Sequence, residues 1–196
     1  REEMAVQLRR KDRSRILILD AANAIFAELG FETATIDAIA TRAGLTRKTA
    51  YNLFASKEDI ADHLIERLEA HSEPLYRHRI EGHENALVLI ESILLENANW
   101  CMAHPAVAKL ALAPRRRPTL APPPDRASFQ RIVRDTILLG QQQDIFRKDE
   151  SPDFMSMILL GIYAQAMLSA VGAGVLDQAD IERIIRLLVE GIGYRK

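Results

Sequence analysis

Apolar residues recur along this chain at intervals of three and four, the spacing of one helical face, and nowhere in a sustained alternation of two. Ile18, Leu19, Ala22, Ile25, Phe26 and Leu29 mark the inward stripe of a first helix, and Gly30 stands where a left-handed residue would end it. Thr35 is placed to cap a short helix with Ile36, Ile39, Ala40 and Ala43 inward; Gly44 breaks it. Thr46 caps the next, with Ala50, Leu53 and Phe54 inward. Ser56-Lys57-Glu58-Asp59 has the form of a capping box that opens a long helix through Leu64 and Leu68, which Pro74 bends or ends. Helices are then predicted over 84–103, 105–112 and about 126–147, 153–173 and 178–193. The stretch 113–125 reads as an exposed loop, holding Pro114, Pro118, Pro122, Pro123 and Pro124 beside Arg115-Arg116-Arg117. With no strand pair and no repeat, the prediction is an all-α chain. A three-helix unit over 1–57, with a basic arm at 1–13, precedes a larger helical unit over 58–196.

Composition narrows this further. At 196 residues, 48% hydrophobic and 27% charged, the chain buries a real core and is too apolar to be disordered. Its one cysteine, Cys101, excludes an intrachain disulfide and a cysteine-rich zinc site, and makes a reducing, cytoplasmic setting the expectation. Arg1 to Arg15 has no apolar run, so no signal peptide is expected. Phe154 to Leu176 runs 23 residues without a charge, long enough to span a bilayer. Acidic flanks (Asp153, Asp177) and interruptions at Gly161, Gln165, Ser169, Gly172 and Gly174 favour a helix buried in protein, and no membrane partner is expected.

The net charge is −1, yet it is unevenly spread. Residues 9–15 hold five bases (Arg9, Arg10, Lys11, Arg13, Arg15) against Asp12, and residues 42–57 hold Arg42, Arg47, Lys48 and Lys57 with no acid. The remainder, 61–196, is slightly acidic, 16 bases against 18 acids. The electrostatic footprint therefore lies in the first third. For the arm, contact with DNA and an unstructured tail both stand.

Within that third, Thr35 to Phe54 has helix-turn-helix mechanics: two short helices about a glycine turn, with small Ala40 where they touch and Leu45 plugging the corner. The outward side of the second helix is left to Arg47, Lys48, Thr49, Tyr51 and Asn52, all hydrogen-bond donors and none acidic. Such a face suits a DNA major groove, with phosphates at its rim and base edges on its floor.

The register of Arg15, Ile18-Leu19-Asp20-Ala21-Ala22, Ile25-Phe26, Gly30-Phe31, Thr35, Ile39-Ala40, Ala43-Gly44-Leu45-Thr46, Thr49, Tyr51, Phe54 and Ser56-Lys57-Glu58 resembles the N-terminal signature of the TetR family of transcriptional regulators, over about 13–60. Less specifically, Gly140 with Phe146-Arg147-Lys148-Asp149 is similar to that family's junction into its penultimate helix. The resemblance implies an all-α homodimer. Its N-terminal helix-turn-helix domain would bind double-stranded DNA at a palindromic operator, and its C-terminal domain would dimerise and hold a small effector. It implies phosphate contacts from Thr35, Tyr51 and Lys57, and backbone or base contacts from Thr46 and Thr49. Ala34 stands where a second Thr is frequent, Lys48 where Gly is common, Ala50 where Leu is common and Asn52 where His is common. These departures bear on base preference, not on the fold.

In the C-terminal unit the stripe Ile90, Ile93, Leu94, Asn97, Trp100 and Cys101 is apolar apart from Asn97, which is either an amide satisfied by its neighbours or a polar group facing a ligand. Tyr163 and Gln165 share that ambiguity; with Asn97, Trp100 and Cys101 they form the candidate pocket for an apolar or aromatic effector. Gly161, Ala164, Leu168 and Val171, joined by Ile181, Ile184, Ile185, Leu188 and Ile192 of the last helix, form the candidate dimer interface. His63, His71 and His78 fall loosely on one helical face, but Pro74 intervenes and no metal or other cofactor is expected. No nucleophile elbow or phosphate-cradling glycine loop is present, so no enzymatic activity is expected. The reading is a ligand-responsive repressor in a bacterial-type cytoplasm, associated with the nucleoid. The alternative is a ligand-independent nucleoid-associated or cell-division factor of the same fold.

Overall fold

Helix-forming sequence reaches farther toward the N-terminus than the apolar stripe it supports. The structure, a computed structural model, describes residues 2–122, 124, 127–173 and 176–192. Residue 1 of the arm, Pro123 and Asp125 of the predicted loop, Gly174 of the uncharged stretch and the predicted end of the last helix at 193 lie outside the described residues. Helix α1 spans Glu2–Leu29, so the arm is not an unstructured tail. No Gly or Pro interrupts it. Gly30, at φ +75°, ends it with its N–H on the Phe26 carbonyl.

Two compact units are present, residues 1–67 and 68–196. In the first, α2 (Ile36–Arg42) and α3 (Arg47–Leu53) follow α1, and α4 (Lys57–Glu81) begins there and ends in the second. Ile18, Ala22, Phe26, Ile39, Ala40, Ala50, Phe54, Ile60 and Leu64 are fully or almost fully buried. The first unit reaches beyond the predicted division at 57, because Ile60, Ala61, Leu64 and Ile65 are buried and Arg67 pairs with Asp20 of α1 at 2.8 Å.

Pro74 does not end α4. Its missing N–H costs one helix bond. Side chains straddling it hold the turn: the Ser72 hydroxyl donates to the Leu68 carbonyl at 3.2 Å, buried Tyr76 donates to Glu96 at 2.8 Å, and Arg77 pairs with both Glu73 and Asp135.

The second unit continues with α5 (Ala86–Ala103), α6 (Pro105–Ala111), a 3-10 turn (Pro114–Arg116), α7 (Phe129–Gln142), α8 (Pro152–Ala173) and α9 (Gln178–Ile192). Among the described residues there is no strand. Helices α5, α7, α8 and α9 enclose one core containing Leu89, Ile93, Ile137, Leu159, Met167 and Ile185. By length and composition α5 and α8 could each cross a membrane; here both send side chains into that core.

Helix α7 stops earlier than predicted. Asp144 turns left-handed at φ +58°, and the N–H groups of Ile145 and Phe146 both return to the Gly140 carbonyl, at 2.9 and 3.1 Å. The fully buried Phe146 ring lies where a side chain at 140 would stand, which is why glycine occupies that helical position. Ile145 and Phe146 read as a continuing helical stripe because the chain doubles back onto the same core.

The proline-rich loop is tethered. Gln130 accepts from the Thr119 N–H at 3.2 Å and donates to the Thr119 carbonyl at 2.5 Å, and Arg131 donates to the Pro124 carbonyl at 2.8 Å. Arg116, expected in solvent, instead has its guanidinium largely covered and paired with Glu69 at 3.2 Å, while Arg115 and Arg117 are exposed.

Candidate nucleic-acid interface

The turn between α2 and α3 is built from backbone bonds that only a left-handed residue permits. The Gly44 N–H reaches the Thr41 carbonyl at 3.0 Å and the Leu45 N–H reaches the Ala40 carbonyl at 2.9 Å, the paired bonds of a Schellman cap, with Gly44 at φ +68°. Leu45 is half-buried behind it, and Thr46 at once caps α3. Thus α2 ends and α3 begins with no slack.

The threonines serve the fold as well as any ligand. Thr35 accepts from the Ala38 N–H at 3.1 Å, and Thr46 accepts from the Thr49 N–H at 3.2 Å. The Thr46 and Thr49 hydroxyls are also bonded to each other at 2.9 Å. Capping uses an acceptor lone pair, so the Thr35 hydroxyl proton and one proton of the Thr46/Thr49 pair remain free to donate to a phosphate or base.

On the exposed side of α3 two kinds of residue alternate. Arg47 pairs with Asp37 at 3.0 Å and lies 5.3 Å over the Tyr51 ring, an arrangement that holds both side chains upright. Tyr51 is 46% exposed. Lys48 and Asn52, one turn apart on the same face, are exposed and make no side-chain bond or ion pair among the described residues. Ala50 and Phe54 point into the core. Ala34 is buried as well, so an added hydroxyl there would face protein.

Lys57 is engaged within the protein. Its ammonium donates to the carbonyls of Phe31 at 2.7 Å, Ala34 at 3.0 Å and Glu32 at 3.3 Å, and sits 4.5 Å over the Phe31 ring. Three protons meet three carbonyls, so in the free protein Lys57 is a clamp on the α1–α2 connection and has no donor left for a phosphate. No side-chain pattern could have signalled this, because all three acceptors are backbone. Arg15 is a second such brace: it donates to the Leu53 carbonyl at 3.0 Å, with its guanidinium 4.6 Å from the Phe54 ring centre. A third is the two-bond Arg42–Glu28 pair, whose guanidinium holds the Glu28 carboxyl below the usual carboxylate range. At the start of α4 Ser56 accepts from the Asp59 N–H, as the N-cap of a capping box does, while Asp59 reaches back one residue further and accepts from the Ala55 N–H. His63 lies against Asp59 and the Phe54 ring, which accounts for its orientation.

Residues 18–64, from the second half of α1 through the first two turns of α4, match the family model described as "Bacterial regulatory proteins, tetR family". Over those residues the chain carries the DNA-binding region of the TetR family of transcriptional regulators. It is 23% identical over 181 residues to the HTH-type transcriptional regulator UidR of Escherichia coli K12, covering 91% of this chain and 92% of that one. Its fold matches FadR of Thermus thermophilus, a repressor solved with lauroyl-CoA, at TM-score 0.71 and 22% identity over 93% of this chain and 96% of that chain. It also matches FadR of Bacillus subtilis, solved with stearoyl-CoA, at TM-score 0.70 and 18% identity over 90% and 98%.

In the C-terminal unit the candidate pocket residues separate. Tyr163 is buried, donating towards the Leu94 carbonyl at 2.9 Å and Asn97 Oδ1 at 3.0 Å, and the Cys101 thiol also reaches Asn97 Oδ1 at 3.7 Å. Burial pushes the Cys101 thiol up to about 12, so at neutral pH it is an unreactive apolar group. Trp100 is half-buried and stacks on His104 at 4.9 Å. Gln165 is exposed and does not join this group: two residues along a helix is a 200° turn, so it and Tyr163 face opposite ways.

The candidate dimer residues also divide. Gly161 is exposed, while Ala164, Leu168, Val171, Ile184 and Leu188 are half-buried along the flank of that face. Ile181, Ile185 and Ile192 belong to the chain's own core and are withdrawn from any partner. The sequence pattern does not single out Phe154, Ile158, Ile162 and Leu187, all exposed, with Ile162 at 52% and Leu187 at 63%. The α8 sequence is apolar on every side, so its period cannot say which side faces out.

The clamp predicts a stability effect. Lys57→Met should destabilise the first unit by about 2 kcal/mol, the scale of removing charge-assisted bonds to half-buried carbonyls, and Lys57→Arg by less. Urea unfolding followed by circular dichroism measures this. An unchanged midpoint for Lys57→Met, with weakened DNA binding, would show that Lys57 is a phosphate contact only.

Proposed function

We propose that this regulator is a homodimeric repressor of the cytoplasm and nucleoid. It reads a palindromic operator with α3 of each subunit and is released by a small, largely apolar effector bound in the C-terminal unit. The observation that carries the DNA reading is the division of labour on α3. Arg47 and Tyr51 are held by each other and by Asp37, whereas Lys48 and Asn52 are exposed and unengaged on a helix fixed at both ends. Thr35, Thr46, Thr49 and Tyr51 supply donors at the rim for phosphates, and Lys48 and Asn52 supply the base-reading pair.

Dimerisation is supported by the outer face of α8. Phe154, Ile158, Gly161 and Ile162 are exposed on it, with no charge between Phe154 and Gln165. An apolar stripe of that length is left bare when a second copy covers it. An effector with a long apolar part is supported by the acyl chains of the acyl-CoA molecules in the two FadR structures, and by a C-terminal unit whose interior polar groups are few. Effector and operator would then favour different conformations of the dimer, each weakening the other by the same factor. One observation favours the ligand-independent alternative: Tyr163, Asn97 and Cys101 satisfy one another, as structural groups do.

Three outcomes test this. Selection from random duplexes should yield a palindrome, and Asn52→Ala should relax preference at one position in each half-site, at a cost of about 1–3 kcal/mol for each bidentate base pairing removed; a protein that enriches no sequence would sink the operator reading. Replacing both Ile158 and Ile162 by Glu should leave the subunit folded, because both are already exposed, and should turn a sedimenting dimer into a monomer. A wild-type monomer at micromolar concentration would reject the homodimer. Finally, a panel of long-chain acyl-CoAs and small aromatics should contain a compound that alters Trp100 emission and releases DNA over one concentration range, whereas indifference to the whole panel would favour the ligand-independent factor.

A further inference from the structure

Half of the cations among the described residues of the first unit are already spoken for. Arg15 is bonded to the Leu53 carbonyl, Arg42 to Glu28, Arg47 to Asp37, Lys57 to three carbonyls and Arg67 to Asp20. The basic side chains among the described residues of that unit with no partner are Lys48, on the recognition helix, and Arg9, Arg10, Lys11 and Arg13, on α1. All four of the α1 residues are exposed. Unpaired exposed cations confined to two helices of one unit mark where a polyanion meets it.

Their placement relative to α3 is defined by Arg15. Through the Leu53 carbonyl and the Phe54 ring, Arg15 fastens α1 to the C-terminal end of α3. Farther along α1, Asp20 meets Arg67 and Glu28 meets Arg42. Going the other way, residues 2–14 continue α1 for roughly 20 Å beyond Arg15. A helix lying in the major groove ends beside the phosphate ridge that borders the groove, so the turns of α1 next to Arg15, anchored at that end, bring their exposed cations to the side of that ridge.

We propose that the N-terminal turns of α1 form a second DNA-binding element, in which Arg9, Arg10 and Arg13, which share one 100° sector of the helix, contact phosphates outside the half-site read by α3, while Lys11, 200° from Arg9, adds to the local positive field. This rests on the DNA-binding reading above. The helical state fixes what kind of contact it is. An extended basic arm enters a minor groove and senses its width. A helix about 10–12 Å across does not fit a groove about 6 Å wide. Its contacts are therefore to backbone only: they add affinity and steep salt dependence without reading sequence. They also require duplex beyond the operator, about six base pairs on each side at 3.4 Å per pair.

The test compares the full chain with a variant carrying Arg9→Gln, Arg10→Gln, Lys11→Gln and Arg13→Gln. Glutamine keeps helix propensity and removes only charge. Each protein is titrated against the selected operator, cut to its minimal length or flanked by ten further base pairs on each side, across a salt series. On the flanked duplex the variant should bind at least tenfold more weakly at low salt, with a log–log salt slope shallower by about 0.9 for each phosphate no longer neutralised. Trimming the flanks should weaken the wild type and leave the variant unchanged, while a variant with Arg9→Lys, Arg10→Lys, Lys11→Arg and Arg13→Lys should keep the wild-type slope. Equal slopes for wild type and glutamine variant on the flanked duplex, both binding specifically, would overturn the inference and leave the operator reading intact. A wild type that binds neither duplex above the affinity of random DNA would overturn both.

Discussion

The first unit depends on one ammonium group. Lys57 stands at the first turn of α4, yet its three protons are spent on carbonyls of the connection between α1 and α2. That connection begins at Gly30, in left-handed geometry, and ends at Thr35, the cap of α2. A link with no regular structure of its own leaves carbonyls unpaired, and half-buried ones must find donors. Lys57 supplies them, and the Phe31 ring under its charge adds to the hold. With the link fixed, α2 starts at a fixed point; with Gly44 and Thr46 fixing the next turn, so does α3. The orientation of the recognition helix is inherited from these constraints and owes little to its own seven residues.

The second unit is held differently. Beside its apolar core runs a chain of shared ion pairs: Glu73 serves Arg77 and Arg131, and Asp135 serves Arg77 and Arg134. These carboxylates are mostly covered, so each depends on its two arginines to offset the cost of leaving water. The network carries α4 across Pro74 and brings α7 against it, while Arg131 and Arg116 extend it to the proline-rich loop.

Much of this is legible in the sequence where one residue type has one physical use. Gly30 and Gly44 at positive φ, Thr35 and Thr46 as caps, and the stripes of α2, α3, α5 and, apart from the exposed Leu29, of α1 follow from period and turn chemistry alone. The failures occur where backbone or long-range partners decide. Lys57 has the composition of a phosphate ligand and the partners of a clamp. The end of α7 depends on Phe146 folding back over Gly140, and the same residues continue the helical stripe on paper. Pro74 is tolerated because of contacts with Glu96 and Asp135, some twenty and sixty residues away. Gln165 misleads for want of a polar face on α8 to orient it, although its two-residue spacing from Tyr163 already forbids a shared side.

The hydroxyl pair of Thr46 and Thr49 has a consequence for how such a regulator could change its targets. Both residues are fixed by their duty to the helix, as Arg47 and Tyr51 are by their duty to each other. Any drift in those four would be felt first as a loosened fold. Lys48 and Asn52 answer to nothing inside the protein. On the proposed reading of α3, new operators would be acquired at these two positions of each subunit, while the residues that also hold the helix stay put. A gene duplicate could explore binding sites through those letters alone, at no risk to its folding.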